Sequence, residues 1–141
     1  GEGPLKDNWM EYGKNALSNE NIIFTGNVSN PEDYYSAFDC MIFPSLYEGI
    51  PFTLVEAQAA GLPVVASNNI TKEIQITNSI EFLSLDESIE SWMNHIVSVV
   101  KDDSDRIKNG ARMGKTNFDI EIALERLTSI YDEIAIGVCD N

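Results

Sequence analysis

Two carboxylates eight positions apart, Glu48 and Glu56, stand among apolar, small and turn-forming residues in Phe43-Pro-Ser-Leu-Tyr-Glu-Gly-Ile-Pro-Phe-Thr-Leu-Val-Glu56. These residue types read in order as a strand end, a tight loop, a helix start and a helix. In an open α/β sheet that junction binds phosphorylated ligands, because the N–H groups at a helix N-terminus point at the anion. Gly49 would let the backbone approach a ligand, Pro51 would stiffen the turn, and the N–H groups of Phe52, Thr53 and Leu54 could hold a diphosphate. Two carboxylates beside such a site need partners other than phosphate. Vicinal hydroxyls suit them, since a carboxylate accepts from both, and hydrogen bonds to charged groups contribute roughly 1.5–3 kcal/mol. A diphosphate between two polyols describes a nucleotide sugar.

The same residues admit a purely structural reading. Thr53 and Glu56 fit the T-x-x-E capping box, in which Glu56 would satisfy only a backbone N–H. A carboxylate in a first turn is worth roughly 0.3–1 kcal/mol through the helix dipole, so Glu56 could serve stability alone. Glu48 gains nothing from packing beyond the end of a buried strand. From residue types alone, cap and ligand clamp both remain open.

The flanking segments must position this pair. Leu5, Trp9, Met10, Tyr12, Ala16 and Leu17 fall at mostly helical spacing, and Asn21-Ile-Ile-Phe-Thr25 reads as a short strand ended by Gly26. Asn30-Pro31-Glu32 opens a helix to Phe38, with Pro at its first turn. Cys40-Met-Ile-Phe43 is a second strand, Gly61 closes the helix that carries Glu56, and Pro63-Val-Val-Ala66 forms a strand without polar alternation, as expected when both faces are buried. The β-α-β-α-β rhythm predicts an α/β fold, a Rossmann-like parallel sheet with helices on both faces. A further strand is expected at Glu81-Phe-Leu-Ser84. Ile89, Trp92, Met93, Ile96, Val97 and Val100 then make one helical face, with His95 on the other and solvated. A helix from near Ser104 and another from about Ile120 to Ile134, with Leu124, Leu127, Ile130, Tyr131 and Ile134 inward, complete the chain.

Composition narrows the function classes. At 141 residues with 43% hydrophobic content, one domain with a real core is expected. Nine basic against twenty-three acidic residues give a net charge of −14, which repels nucleic acid and anionic lipid. Cys40 and Cys139 give no disulfide framework, and no metal-ligand spacing surrounds the one histidine, so no metal or other cofactor is expected. Cys40 reads as core. With no signal-peptide pattern and no apolar run near the ~20 residues of a spanning helix, a reduced cytoplasm is the expected compartment. A response-regulator receiver would need an acidic pair after its first strand and an Asp ending its third, whereas Cys40-Met-Ile-Phe43 ends in Pro-Ser. A dinucleotide dehydrogenase would need G-x-G-x-x-G, and Gly1-Glu-Gly3 continues without the third glycine.

Gly1-Glu-Gly-Pro, Phe24-Thr-Gly26, Tyr34-Tyr-Ser-Ala-Phe-Asp39, Phe43-Pro-Ser45 and above all Glu48-x7-Glu56 followed by Ala-Gln-Ala-Ala-Gly-Leu-Pro-Val-Val65 resemble the carboxyl-terminal domain of retaining family 4 glycosyltransferases of GT-B fold. The resemblance covers most of Gly1 to Glu73. It implies that Glu48 contacts the donor sugar near the reacting centre and that Glu56 holds the ribose hydroxyls. It also implies that Gly49, Ile50, Pro51, Phe52, Thr53 and Leu54 cradle sugar and diphosphate, and that the loop Gly26 to Val28 lies by the base. After Ser67 the chain departs from the usual pattern. Asn69-Ile70 stands where a Gly-Gly pair is common, only Glu73 survives, and Ile76-Thr-Asn78 replaces an Asp-Gly turn. Asn69-Ile-Thr-Lys-Glu-Ile74 with Ile80-Glu-Phe-Leu-Ser-Leu85 resembles a bacterial capsular and exopolysaccharide subgroup.

The resemblance further implies that the sheet is truncated at its amino-terminal strands, that a basic diphosphate-neutralising motif and an acceptor-binding amino-terminal domain lie outside this sequence, and that the chain alone is inactive. With the strand order 3-2-1-4-5-6, the strands at Ile22 and Met41 would be separated by two others, leaving open edges, so either these strands pair directly or a second chain or an upstream segment covers the edge. The implied partners are thus a nucleotide sugar such as a uridine diphosphate sugar and this missing domain, with membrane contact only through the latter. A non-catalytic nucleotide-sugar sensor or partner subunit of the same fold is the rival reading.

Overall fold

The computed structural model describes residues 3–16, 22–101 and 106–139. Leu17, Asn21, Gly1, Glu2 and the expected helix start at Ser104 lie outside these residues. The chain divides into two units, residues 1–31 and 32–141.

The first unit holds α1, Lys6–Ala16. Its buried residue is Gly13, against which Ile22 and Phe24 pack; a Cβ on Gly13 would stand 3.1 Å from Ile22 Cδ1. Trp9 and Tyr12 meet edge to face but remain exposed. The strand expected at Ile22 to Thr25 is not formed. A strand exists only through its ladder, and residues 22–25 have no ladder partner among the described residues, so β-rich composition was insufficient.

From α2 (Pro31–Ala37), whose residues after Pro31 open the second unit, β1 (Met41–Phe43), α3 (Phe52–Ala59), β2 (Val64–Ser67) and β3 (Ile80–Leu83) alternate as expected, with α4 (Ile89–Lys101), α5 (Arg106–Arg112) and α6 (Ile120–Cys139) following. Pro31 takes the first position of α2, where its missing N–H costs nothing. The sheet is parallel in the order β1-β2-β3, with Met41 opposite Val64 and Val64 opposite Ile80. All four residues of β2 are buried, as expected of a central strand covered on both faces. Its Val64 and Ala66, with Leu54, Ala57, Leu62, Ile70, Ile74 and Ile80, make the core. β1 is an edge, and its Ile42 is half-exposed.

Gly61 ends α3 in a left-handed conformation (φ +67°). Its N–H donates to the Gln58 carbonyl at 3.0 Å and that of Leu62 to the Ala57 carbonyl at 2.9 Å, a Schellman closure. This turn returns the chain directly into β2.

The carboxyl-terminal helices differ from expectation in their facing. In α4, the half-buried side chains are Ser91, Trp92, His95, Ile96 and Val99, while Ile89, Met93, Val97 and Val100 are exposed. Polar anchors set the helix rotation. The Trp92 indole N–H donates to the Ser84 carbonyl at 3.0 Å, and His95 Nδ1 lies 3.0 Å from Glu81 Oε2 on β3. His95 therefore faces the sheet. In α6, Leu124, Leu127, Ile130, Tyr131 and Ile134 are all 45% exposed or more, contrary to their expected inward placement. Their spacing is genuine, but nothing among the described residues covers them. Cys40 is only half-buried, and burial pushes its thiol pKa up.

Candidate functional site

The segment between β1 and α3 leaves the carboxyl end of the parallel sheet, where ligand crevices of open α/β sheets form. Glu48 lies in this segment, and its Oε1 accepts from the Ser45 hydroxyl at 2.8 Å. The bond spans three residues and curls the loop back toward the strand end. Leu46, Tyr47, Ile50 and Phe52 around it are exposed, and Gly49 has no atom within 4 Å of where a Cβ would stand. The backbone at Gly49 is open to approach from outside.

Glu56 does not form a capping box. The N-cap of α3 is Pro51, extended at φ −74° and ψ 100°, with no side-chain capping bond, so Thr53 and Glu56 both lie inside the helix. Proline at the cap moves the helix start two residues before the position that a Thr53 cap requires. The exposed carboxylate of Glu56 instead accepts from the Tyr35 hydroxyl of α2, at 2.9 Å to Oε2. Partial burial, and then the hydrogen bond and the charge of Glu56, push the Tyr35 phenol up to about 12. The phenol therefore remains a donor throughout the physiological range.

At the start of α3, the Leu54 N–H donates to the Pro51 carbonyl at 2.9 Å, so it is not free to hold an anion. The N–H groups of Phe52 and Thr53 remain unengaged among the described residues, as first-turn donors do. The Leu54 side chain is fully buried and anchors the helix start in the core. Pro51 is buried as well. Gly26 and Val28 belong to the first unit; Gly26 adopts φ +65°, a conformation that favours glycine.

Three supporting residues have no role assigned from sequence. Gln58, fully buried on α3, donates through Nε2 to the Leu54 and Ile74 carbonyls at 3.0 and 2.8 Å. Its Oε1 accepts from the N–H groups of Ile76 and Thr77 at 3.1 and 3.0 Å and from the Thr77 hydroxyl at 3.2 Å. A lone amide among the alanines after Glu56 was the available signal. It fixes the loop after β2, where Thr71 caps a 3-10 turn over Lys72–Ile74 by accepting from the Glu73 N–H at 3.3 Å. No described residue in this loop takes a positive φ, which explains how Asn69-Ile70 can stand in place of glycines, and Ile70 is buried in the core instead.

The second is Arg106 of α5. Its guanidinium donates to the carbonyls of Tyr35 at 2.6 Å, Ser36 at 3.1 Å, Phe38 at 2.8 Å and Ala60 at 3.4 Å. A cation thus binds the carboxyl-terminal ends of α2 and α3, where orphan carbonyls and helix dipoles favour positive charge. These partners are 46 to 71 residues upstream, so no local pattern could reveal them. The third is Ser45, which the Phe-Pro-Ser motif contains without assigning it a task.

Residues 1–102 match the family described as glycosyl transferases group 1, most of the chain. The chain belongs to the group 1 glycosyltransferases. It is 36% identical over 97 residues to EpsF of Bacillus subtilis, which carries a provisional glycosyltransferase name; the match covers 68% of this chain and 25% of that protein. It is 30% identical over 130 residues to the capsular polysaccharide biosynthesis glycosyltransferase CapH of Staphylococcus aureus, covering 86% of this chain and 35% of the relative. It is 26% identical over 141 residues to an Escherichia coli UDP-Gal:alpha-D-GlcNAc-diphosphoundecaprenol alpha-1,3-galactosyltransferase, covering 97% and 36%. The chain thus spans between a quarter and about a third of the length of these relatives. Among the described residues, no helix is long and apolar enough to cross a membrane.

Proposed function

We propose that this chain forms the donor-binding part of a retaining glycosyltransferase that uses a uridine diphosphate sugar in building a bacterial surface polysaccharide. The observation that carries this reading is the arrangement of Glu48 and Glu56. Each carboxylate is steadied on one oxygen by one hydroxyl, its other oxygen is left available, and the loop between them leads into unengaged N–H groups at a helix start. Glu48 would meet the sugar hydroxyls near the reacting centre, and Glu56 the ribose diol. The N–H groups of Phe52 and Thr53, with the open backbone at Gly49 and Ile50, would receive the diphosphate.

The chemistry of such a reaction is departure of a nucleoside diphosphate. Negative charge grows on the leaving oxygens, and preorganised N–H donors at a helix start act on it without reorganising. At a net charge of −14 the chain repels a diphosphate over longer range, so the balancing cations belong to another part of the protein, together with the acceptor site. On this reading the chain alone does not transfer sugar, no metal takes part, and any membrane contact on the cytoplasmic side runs through that other part. The E. coli relative supports retention, since its name pairs a UDP-galactose donor with an alpha-1,3 product and the donor sugar is itself α-linked.

The test is a transfer assay of the full-length protein with UDP-hexoses and a polyprenyl-diphosphate-linked sugar acceptor, with the anomeric configuration of the product read by NMR. An α-linked product that disappears in Glu48→Gln is expected. A β-linked product would overturn retention, and tight donor binding without any transfer would favour a non-catalytic sensor.

A further inference from the structure

The carboxylate of Glu56 lies exposed on α3, and an exposed carboxylate ordinarily turns about its last torsion. Here one oxygen is held. Tyr35 donates its hydroxyl to Oε2 at 2.9 Å, which restrains the carboxylate, and no hydrogen bond engages Oε1 among the described residues. The hold is useful only if α2, which carries Tyr35, is itself fixed against α3. α2 is seven residues long, buries no side chain fully and packs on the core only through the half-buried ring of Tyr35, so packing alone holds it lightly.

Arg106 supplies the fixation. Four bonds from one guanidinium reach the carbonyls of Tyr35, Ser36 and Phe38 at the end of α2 and of Ala60 at the end of α3. Its planar fork resists the rotations that a lysine would allow. The helix bearing Arg106 is locked onto α3 in turn: a Cβ on Gly61 would stand 2.1 Å from the Arg106 carbonyl oxygen, and one on Gly110 would stand 2.8 Å from that of Ala59. α5 therefore sits hard against the end of α3, Arg106 reaches from it to α2, and Tyr35 reaches from α2 back to Glu56.

We infer that Tyr35 is a positioning residue which aims the Glu56 carboxylate at the ribose diol of the donor, and that Arg106 holds Tyr35 in place to do so. The inference rests on the reading of Glu56 as the diol acceptor. Each carboxylate oxygen accepts two hydrogen bonds, so Tyr35 and two adjacent hydroxyls can be satisfied together. Without the Tyr35 hydroxyl, the carboxylate must be ordered by the ligand itself. Nucleotide discrimination at the ribose then falls, while the rest of the binding surface is unaffected.

The experiment titrates the full-length protein with uridine diphosphate and with its 2′,3′-dideoxy analogue. The readout is the ratio of the two affinities, which a change in overall folding would leave alone. Wild type is expected to prefer the diol, Glu56→Gln to abolish most of that preference, and Tyr35→Phe to lower it roughly threefold to tenfold with the dideoxy affinity unchanged. In the double variant, Tyr35→Phe is expected to have no further effect on the ratio. If Glu56→Gln collapses the preference and Tyr35→Phe does not alter it, the positioning inference is overturned while the reading of Glu56 stands. Equal weakening of both ligands by Tyr35→Phe also overturns it, because Tyr35 would then support only the fold. A preference insensitive to Glu56→Gln, or no binding of uridine diphosphate by wild type, overturns the reading on which the inference rests.

Discussion

Replacing Gln58 with leucine should destabilise the protein by about 1–5 kcal/mol, a sizeable share of the roughly 5–15 kcal/mol typical of a domain. The size follows from which partners survive. The Leu54 carbonyl retains the helical bond from the backbone N–H four residues on, and the Thr77 hydroxyl retains Ser79 at 2.6 Å. The Ile74 carbonyl and the N–H groups of Ile76 and Thr77 lose the amide that satisfies them. Ile76 is half-buried and can recruit water, which leaves two strictly buried orphans at about 1–3 kcal/mol each. The greater apolarity of leucine returns at most about 1 kcal/mol. Urea denaturation followed by circular dichroism measures the loss, and amide exchange at Ile76 and Thr77 should quicken more than exchange in β2. A loss under about 1 kcal/mol, with unchanged exchange at those two amides, would refute the view that Gln58 holds the loop after β2.

Gly61→Ala should cost about 2 kcal/mol or more, since a left-handed alanine is strained by itself and its Cβ would meet the Arg106 carbonyl at 2.1 Å; thermal denaturation reads this directly. Gly49→Ala, with nothing within 4 Å, should change stability by less than about 0.5 kcal/mol and weaken only donor binding, measured by calorimetry. The folded state raises the Tyr35 pKa from 10.0 to about 12, so it favours the protonated phenol. The resulting stabilisation is complete below pH 10 and is lost as pH rises through about 12. In a phenolate absorbance titration, one of the five tyrosines should lag behind its unfolded-state titration, and the lag should vanish in Tyr35→Phe and shrink in Glu56→Gln.

The parts of the fold legible in the sequence are those whose determinants are local. The alternation of apolar runs with Gly61 and Pro31 was enough for β1, α3, β2 and β3, because a buried parallel strand and a glycine-closed helix each carry their own signal. Ile22 to Thr25 was misleading because strand formation is decided by a neighbour. The facing of α4 departs from its apolar pattern for a related reason. Its apolar stripe is wide, and the choice within it fell to Trp92 and His95, whose anchors at Ser84 and Glu81 lie in another element. At the site, the paired glutamates could be located but not their settings. A capping box and a ligand clamp share the same spacing, and the position of Pro51 at the helix cap, which removes the box, and the arrival of Tyr35 from α2 are not written in that spacing. Arg106 was invisible, since all its partners are remote in sequence.

Glu48 and Glu56 are proposed to hold different parts of one donor. Calorimetric titration of wild type, Glu48→Gln and Glu56→Gln with uridine diphosphate and with a matching UDP-hexose tests this most directly. Glu56→Gln is expected to weaken both ligands roughly tenfold, as loss of a charged hydrogen-bond acceptor should, whereas Glu48→Gln should leave the nucleotide unaffected and weaken only the sugar nucleotide. Both variants binding both ligands as wild type does would contradict the account.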